Sequence, residues 1–182
     1  MNPIEILTNY YEQDSRAYKI LIKHSRQVAN KALEIANRVA HLKPDQTFLE
    51  QAALLHDIGI FLTNSPELGC FGKNFYVEHG YLGRKVLEKI GLPAHALVCE
   101  RHVGVGLTED DIRHKGLPLP ARDMVPVSIE EQIICYADKF YSKNGQDTDR
   151  EKSVDKIIDS LKRYGQDKVA RFQAWVKMFE GD

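Results

Sequence analysis

The sequence lacks any apolar run that approaches the roughly 20 residues needed to span a bilayer. Its start, Met1 to Glu5, lacks a basic stretch followed by an apolar segment, so we predict no signal peptide. It has only three cysteines, an odd number without CxxC spacing, at Cys70, Cys99 and Cys135. This pattern favours reduced thiols over a disulfide framework or a zinc knuckle. We therefore expect a cytoplasmic protein that does not associate with membranes.

The chain also lacks charge of one dominant sign, because 25 Lys and Arg stand against 26 Asp and Glu, for a formal net charge of -1. A nucleic-acid-binding surface normally has a basic excess, so the sequence gives no strong signal for a nucleic-acid partner. There is no internal repeat, and 182 residues suit one domain with one core. We predict a single domain over residues 1–182, and no pattern favours a particular oligomeric state.

Alternating strand patterns are absent, whereas apolar residues recur at intervals of three and four along most of the chain. This spacing predicts an all-α protein. Loops rich in Gly and Pro are predicted at residues 63–74 and 115–127. The predicted helices cover residues 3–13, 15–41, 46–60, 78–90, 94–102, 108–114, 128–143, 148–164 and 167–179.

A His-Asp pair follows an apolar stretch, since Ala53, Leu54 and Leu55 lead directly into His56 and Asp57. Sequence of this kind is normally buried, and a buried carboxylate is costly unless it is paired or bound to a cation. A divalent metal ion would compensate that charge. The pair is therefore the first indication of a metal site.

Four further side chains of ligand type lie on predicted apolar stripes. His24 lies one turn from both Ile20 and Val28, and His102 follows Val98 by one turn. A single histidine on such a stripe is more often a hydrogen-bonded core residue than a ligand. Four histidines and two aspartates that all face inward favour one shared metal centre. The six candidate metal ligands are His24, His56, Asp57, His79, His102 and Asp138.

Imidazole nitrogens and carboxylate oxygens together suit divalent transition metals. We predict one or two ions, drawn from Fe, Mn, Co, Ni, Zn or Mg.

The order of these ligands resembles that of the HD-domain metal-dependent phosphohydrolase superfamily, over roughly residues 16–142. Residues 56–59 read His-Asp-Ile-Gly and match the subgroup called HDIG. The resemblance implies a single-domain HD-type helical bundle with the metal site in its core and the C-terminal helices, within 148–179, packed on it. One departure is that residues 60–62 read Ile-Phe-Leu, where many relatives carry a lysine shortly after the pair.

The resemblance also implies how the ligands divide. The ligands of the first metal would be His24, His56, Asp57 and Asp138. His79 and His102 are similar to the additional histidines of members with two metals, such as the HD-type symmetrical diadenosine tetraphosphate hydrolases. Asp57 would bridge the two ions, because a carboxylate offers two oxygens. A metal-activated hydroxide would then attack the phosphorus of a phosphoester or phosphoanhydride.

Three cations stand close to these ligands in the sequence. Arg84 lies five residues after His79, Arg101 precedes His102, and Lys139 follows Asp138. Arginine can bind phosphate through two hydrogen bonds, and lysine acts as a point charge. We therefore predict that Arg84, Arg101 and Lys139 bind a small phosphorylated substrate, with a nucleotide as the expected class. Asp57, Arg84 and Lys139 are the predicted catalytic residues.

Two other functions are compatible with the same ligands. Some proteins similar to this superfamily use a six-ligand di-iron site to activate oxygen, so an HD-type di-iron oxygenase is one alternative. A regulatory module that binds a nucleotide is the other, and a missing ligand would favour it. The sequence has all six ligands, and we therefore predict a phosphohydrolase.

Overall fold

A computed structural model of the chain describes residues 1–143 and 150–181. It confirms the predicted all-α class, with a two-stranded antiparallel hairpin, β1 (Asn64–Ser65) and β2 (Cys70–Phe71), in the predicted loop. The helices of the described residues are α1 (Pro3–Thr8), α2 (Arg16–Arg38), α3 (Gln46–Leu55), α4 (His79–Lys89), α5 (Pro93–Arg101), α6 (Glu109–His114), α7 (Ile129–Asp138), α8 (Val154–Lys162) and α9 (Gln166–Glu180). Short 3-10 turns occupy Ala40–Leu42, Ile58–Leu62, Pro66–Leu68 and Tyr76–Glu78.

Polar caps determine where the central helices begin. The Ser15 hydroxyl accepts a hydrogen bond from the Tyr18 amide at the start of α2, at 3.2 Å. The Ser128 hydroxyl accepts one from the Glu131 amide at the start of α7, also at 3.2 Å. Each cap satisfies an amide that has no partner within its helix, which stabilises the helix by about 1 kcal/mol.

Several helices end earlier than the apolar spacing predicts. The helix predicted at 46–60 ends at Leu55, and the one predicted at 128–143 ends at Asp138. In the first case Asp57 leaves the helical conformation, with φ -104° and ψ 8°. The helices predicted at 3–13 and 15–41 end at Thr8 and Arg38. The helix predicted at 148–164 begins at Val154 behind its cap Ser153, while residues 148 and 149 lie outside the described part.

The core lies around α2, whose buried stripe packs against α3, α7 and α9. The C-terminal helix α9 contributes Phe172, whose ring stacks on Tyr136 of α7 with the ring centroids 5.0 Å apart. A second apolar cluster joins α1 to the segment after α3 and to α5. Within the described residues, no helix combines the length and apolar character needed to cross a membrane.

A close backbone contact joins the segment after Asp57 to α4. A Cβ atom at Gly59 would lie 2.2 Å from the carbonyl oxygen of His79 and 2.4 Å from the amide nitrogen of Gly83. No side chain fits in that space, so only glycine allows the two segments to approach this closely. The contact brings the first residue of α4, His79, next to Asp57.

Candidate metal centre

Five segments of the fold each deliver one or two of the predicted metal ligands to a single point. α2 carries one ligand, the residues just after α3 carry two, and α4, α5 and α7 each provide one at or directly beside a helix end. All six side chains are buried, with relative exposures between 0% and 7%. The structure therefore brings together His24, His56, Asp57, His79, His102 and Asp138.

The first half of the site is formed by two histidines and two carboxylates. The Nε2 atom of His24 lies 2.9 Å from Oδ1 of Asp138, and Nε2 of His56 lies 3.5 Å from the same oxygen. Oδ2 of Asp57 lies 3.1 Å from Nε2 of His56 and 3.5 Å from Nε2 of His24. One cation at this point could contact all four side chains.

The second half uses the other oxygen of the same carboxylate. Oδ1 of Asp57 lies 3.3 Å from Nε2 of His79 and 3.4 Å from Nε2 of His102. The two Nε2 atoms are 3.0 Å apart. Asp57 thus directs its two oxygens at two different histidine pairs, which is the arrangement expected of a bridging ligand.

Backbone carbonyls fix the ring orientation of three of the histidines. In each, Nδ1 donates to the carbonyl three residues earlier, at 2.7, 2.6 and 2.7 Å. The rings are those of His56, His79 and His102, and the carbonyls are those of Ala53, Tyr76 and Cys99. With the proton held on Nδ1, the lone pair of Nε2 points into the centre, as metal ligation requires.

His24 is held in a different way. Its Nε2 lies at hydrogen-bond distance from Asp138, and its Nδ1 is buried without a hydrogen-bond partner among the described residues. Ligation through Nε2 therefore requires the ring proton to reside on Nδ1.

The donor set fits a divalent cation. Over residues 1–143 and 150–181, the buried Nε2 of His56 has no hydrogen-bond partner, although carboxylate oxygens lie near it. A lone pair that faces carboxylate oxygens in a buried space is unfavourable unless a cation or a proton lies between them. His24, His56 and Asp138 offer ligand atoms within 4.8 Å of one another, and so do His56, Asp57 and His102. Nitrogen and oxygen ligands of this kind suit first-row transition metals.

Lys143 also belongs to the candidate site, although no sequence pattern pointed to it. Its largely buried Nζ lies 2.8 Å from Oδ2 of Asp57 and 3.7 Å from Oδ1 of Asp138. Burial would lower the pKa of Lys143, but the two carboxylates and the Tyr76 hydroxyl raise it well above its usual range. Burial would raise the pKa of Asp57, but His56 and Lys143 hold it well below the usual value. The lysine thus supplies part of the positive charge that the buried carboxylates require.

The histidines differ sharply in their affinity for protons. Burial lowers the pKa of His102 to about 3 and that of His24 to about 4. Burial would also lower the pKa of His56, but the adjacent Asp57 and Asp138 raise it to about 9. At neutral pH the candidate ligands His24 and His102 are therefore neutral, as metal ligation requires, while His56 of the metal-free protein is protonated on both ring nitrogens.

Metal binding is therefore expected to release a proton from His56 at pH 6.5. Since the pKa of His56 is about 9, the apparent affinity should rise by about tenfold per pH unit below that value. Titration calorimetry in buffers of different ionisation enthalpy should give about one proton released for the first ion. The same count is expected for His95→Gln, which replaces a buried histidine that packs on Phe48. If no proton is released when the first ion binds, His56 is already neutral without metal.

The two predicted substrate-binding arginines are paired with carboxylates. Arg84 contacts Glu88 at 2.8 Å and Glu100 at 2.5 Å. Arg101 donates to both oxygens of Glu131 at 2.9 Å. A phosphate contact by either arginine would require it to share or exchange these partners, so their role as substrate ligands stays a prediction.

Lys139 lies closer to the ligands. Its Nζ is 2.7 Å from Oδ2 of Asp138, the oxygen that does not face the histidines, and 15% of its side chain is exposed. Lys139 also lines a cavity that reaches His79. It is therefore the predicted cation with the most direct access to a substrate at the metal centre.

The chain is similar to one known protein family and to several known proteins. Residues 21–142 match the family model described as the HD domain. An uncharacterized protein of Methanocaldococcus jannaschii is 30% identical over 123 residues, which are 66% of this chain and 65% of that protein. No solved structure matches the chain.

Two further relatives are named tRNA (cytidine(56)-2'-O)-methyltransferase. The protein of Picrophilus torridus is 31% identical over 132 residues, which are 71% of this chain and 34% of that protein. The protein of Thermoplasma volcanium is 25% identical over 151 residues, which are 82% of this chain and 38% of that protein. The chain therefore spans just under two thirds of the length of the first relative and little more than a third of the two methyltransferases.

Proposed function

The chain belongs to the HD domain family, and from that premise we propose that it is a metal-dependent phosphohydrolase. Its proposed reaction is the hydrolysis of a phosphoester or phosphoanhydride bond in a nucleotide-like molecule. The observation that carries this proposal is the position of Asp57, which directs one oxygen at His24 and His56 and the other at His79 and His102. Two divalent ions held by these residues would suit the binding of a phosphoryl group.

The residues divide into two metal positions in this proposal. The first ion would be held by His24, His56, Asp57 and Asp138, and the second by His79 and His102 with Asp57 between them. When bound, divalent ions acidify a water molecule and offset the negative charge on phosphoryl oxygens. The protein holds the ligand lone pairs in place through the three Nδ1 to carbonyl hydrogen bonds and buries them away from bulk water.

Lys139 is the proposed phosphate-binding cation. Its ammonium group lies at the edge of the ligand cluster and lines the adjacent cavity, so it can contact a phosphoryl oxygen without leaving Asp138. Arg84 and Arg101 remain proposed substrate contacts, but to bind a phosphate Arg84 would have to share or exchange Glu100, and Arg101 would have to share or exchange Glu131.

The named activity of the two methyltransferases does not enter this proposal. The chain covers only about a third of each of those proteins. Four histidines and two carboxylates around one buried point are suited to binding cations and a phosphoryl group, which a methyl transfer does not call for.

Metal analysis followed by a phosphoester panel tests the proposal. We expect the purified protein to release phosphate or nucleotide from at least one compound among nucleoside mono- and polyphosphates, cyclic nucleotides and dinucleoside polyphosphates. Activity should require a divalent metal and disappear with a chelator. His24→Ala should remove it, whereas His41→Ala, which replaces an exposed histidine, should not. A fully metallated protein that releases no product but consumes O₂ with an organic substrate would contradict the proposal and favour the oxygenase.

A further inference from the structure

A cavity of about 370 Å³ opens beside the metal centre. Its inner end is formed by His79, whose ring stacks on Tyr76 with centroids 4.6 Å apart, and by Lys139, which contacts Asp138. Its outer end is formed by Lys115, whose Nζ lies 3.5 Å from the carbonyl oxygen of Tyr164. The cavity therefore extends from a metal ligand to the surface of α8 and α9.

The walls between these ends are mainly apolar. They comprise Val103, Val105, Leu107, Leu117 and Leu161. Gly104 adopts a positive φ of 64°, and a Cβ built at this position would have no atom within 4 Å, so the backbone leaves this wall open. Ligand sites of 300–1,000 Å³ with apolar walls and few polar groups are typical of small-molecule binding.

The two ends of the cavity differ in charge. At the outer end, Lys115 contacts Asp111 at 3.2 Å, and Lys168 contacts both Asp111 and Asp167. Burial would raise the pKa of Asp111, but its hydrogen bonds from Lys168 and Thr108 hold it well below the usual value, so it stays ionised. These two lysines are paired with acids, as Lys139 is at the inner end, so the charge that distinguishes the two ends would be that of the ions held by the candidate ligands.

We propose that this cavity is the subsite for the uncharged, ring-bearing part of a substrate that has a single phosphoryl group at the metal centre. This inference rests on the proposed function and specifies its substrate as a nucleoside monophosphate-like ester. A flat ring would lie between Tyr76, Tyr164 and the valine and leucine walls, where its burial lowers the free energy of the complex. A second phosphate at the outer end would meet no uncompensated cation among the described residues.

The test compares substrates that have the same phosphate ester and differ in whether they carry a nucleobase, and in which one. Ribose 5-phosphate and the four common nucleoside 5′-monophosphates have the same primary phosphate ester. With metal-loaded protein, kcat/KM for the best nucleotide should exceed that for ribose 5-phosphate by about tenfold or more, because a buried ring adds apolar contact area. Equal values for all five compounds would overturn the subsite.

A matched pair of variants locates the effect. Ser160 lines the cavity from the exposed surface of α8, so Ser160→Trp should fill the space without disturbing the core. It should lower kcat/KM for the nucleotides and so reduce their preference over ribose 5-phosphate to about one. Lys162→Trp, on the opposite side of the same helix, should keep the preference. If Ser160→Trp lowers both substrates equally, or if dinucleoside polyphosphates are preferred to the monophosphates, the subsite is assigned wrongly.

Direct binding separates this inference from the proposed reaction. Calorimetry with the unphosphorylated nucleosides should show binding to metal-loaded wild-type protein and to Lys162→Trp, and a loss of at least tenfold in Ser160→Trp. Nucleoside binding without any hydrolysis would contradict the proposed phosphohydrolase reaction but support the proposed subsite. Hydrolysis without any preference for nucleotides over ribose 5-phosphate would support the proposed reaction but contradict the proposed subsite.

Discussion

Asp57→Asn is expected to abolish turnover and to reduce the metal content of the protein below one ion per chain. The carboxylate is fully buried and directs its two oxygens at two histidine pairs. Asparagine keeps the shape of the side chain but removes its negative charge, and its amide group cannot bridge two cations. We expect activity to fall by about three orders of magnitude or more, as when a principal electrostatic contact is removed from an active site.

Elemental analysis and steady-state kinetics on the same preparation measure both effects. Glu131→Gln is the matched control, because it also neutralises a buried carboxylate but one that pairs with Arg101 instead of the metal ligands. This control should keep its metal even if the protein is somewhat less stable. Full metal stoichiometry and normal turnover in Asp57→Asn would show that Asp57 is not a ligand.

Lys143→Met should destabilise the metal-free protein strongly and the metal-loaded protein much less. Without metal, the ammonium of Lys143 compensates the buried charge of Asp57, 2.8 Å away, and of Asp138, 3.7 Å away. Removing one partner of a buried ion pair costs about 3–5 kcal/mol. For a domain of this size that corresponds to a decrease in Tm of roughly 6–20 °C. A divalent ion supplies the missing positive charge, so saturating metal should restore most of the loss.

Thermal melts with and without metal measure this difference. Lys31→Met provides the control, since Lys31 is a buried lysine that pairs with Glu151 at 2.5 Å, and its loss should be equal in both conditions. Lys143→Met should also bind the first ion more tightly than wild-type protein, because the Lys143 ammonium no longer competes for the carboxylates of Asp57 and Asp138. An equal loss of Tm with and without metal would show that Lys143 acts only through packing.

The convergence of the six candidate ligands could be predicted from the sequence, because the signal for each side chain is local. Each lies on, or directly beside, an apolar stripe with helical spacing, and such a stripe determines which side chains face the core. His24 on α2 is one example, because Ile20 and Val28 place it on the buried face whatever the helix packs against. The five segments then meet because each has only one face to bury.

Lys143 could not be predicted in this way. It lies five residues after the last residue of α7, and its position depends on how the chain turns back after that helix ends. The pairing of Arg84 with Glu100 is likewise a contact between two different helices. Sequence spacing shows that such cations are near a ligand along the chain, but tertiary packing decides which carboxylate they meet.

The early end of α3 is also decided by tertiary packing. Helical spacing continues through Gly59, so the sequence favours a helix to residue 60. Instead the chain leaves the helix at His56 and Asp57, and the Gly59 backbone packs directly on α4. The gain in tertiary contact outweighs the local preference for helix, as is common where a functional side chain must be positioned.

The same glycine contact limits how this centre can change during evolution. The His79 carbonyl and the Gly83 amide leave no space for even a methyl group at Gly59, so the spacing between the His-Asp pair and α4 cannot be adjusted by small substitutions. A lineage could replace a single candidate ligand and keep the fold, since the six are spread over five segments. It could not change the distance between the segment after Asp57 and the start of α4 without rebuilding this junction. Adaptation to another metal would therefore proceed by exchanging donor atoms within a fixed frame.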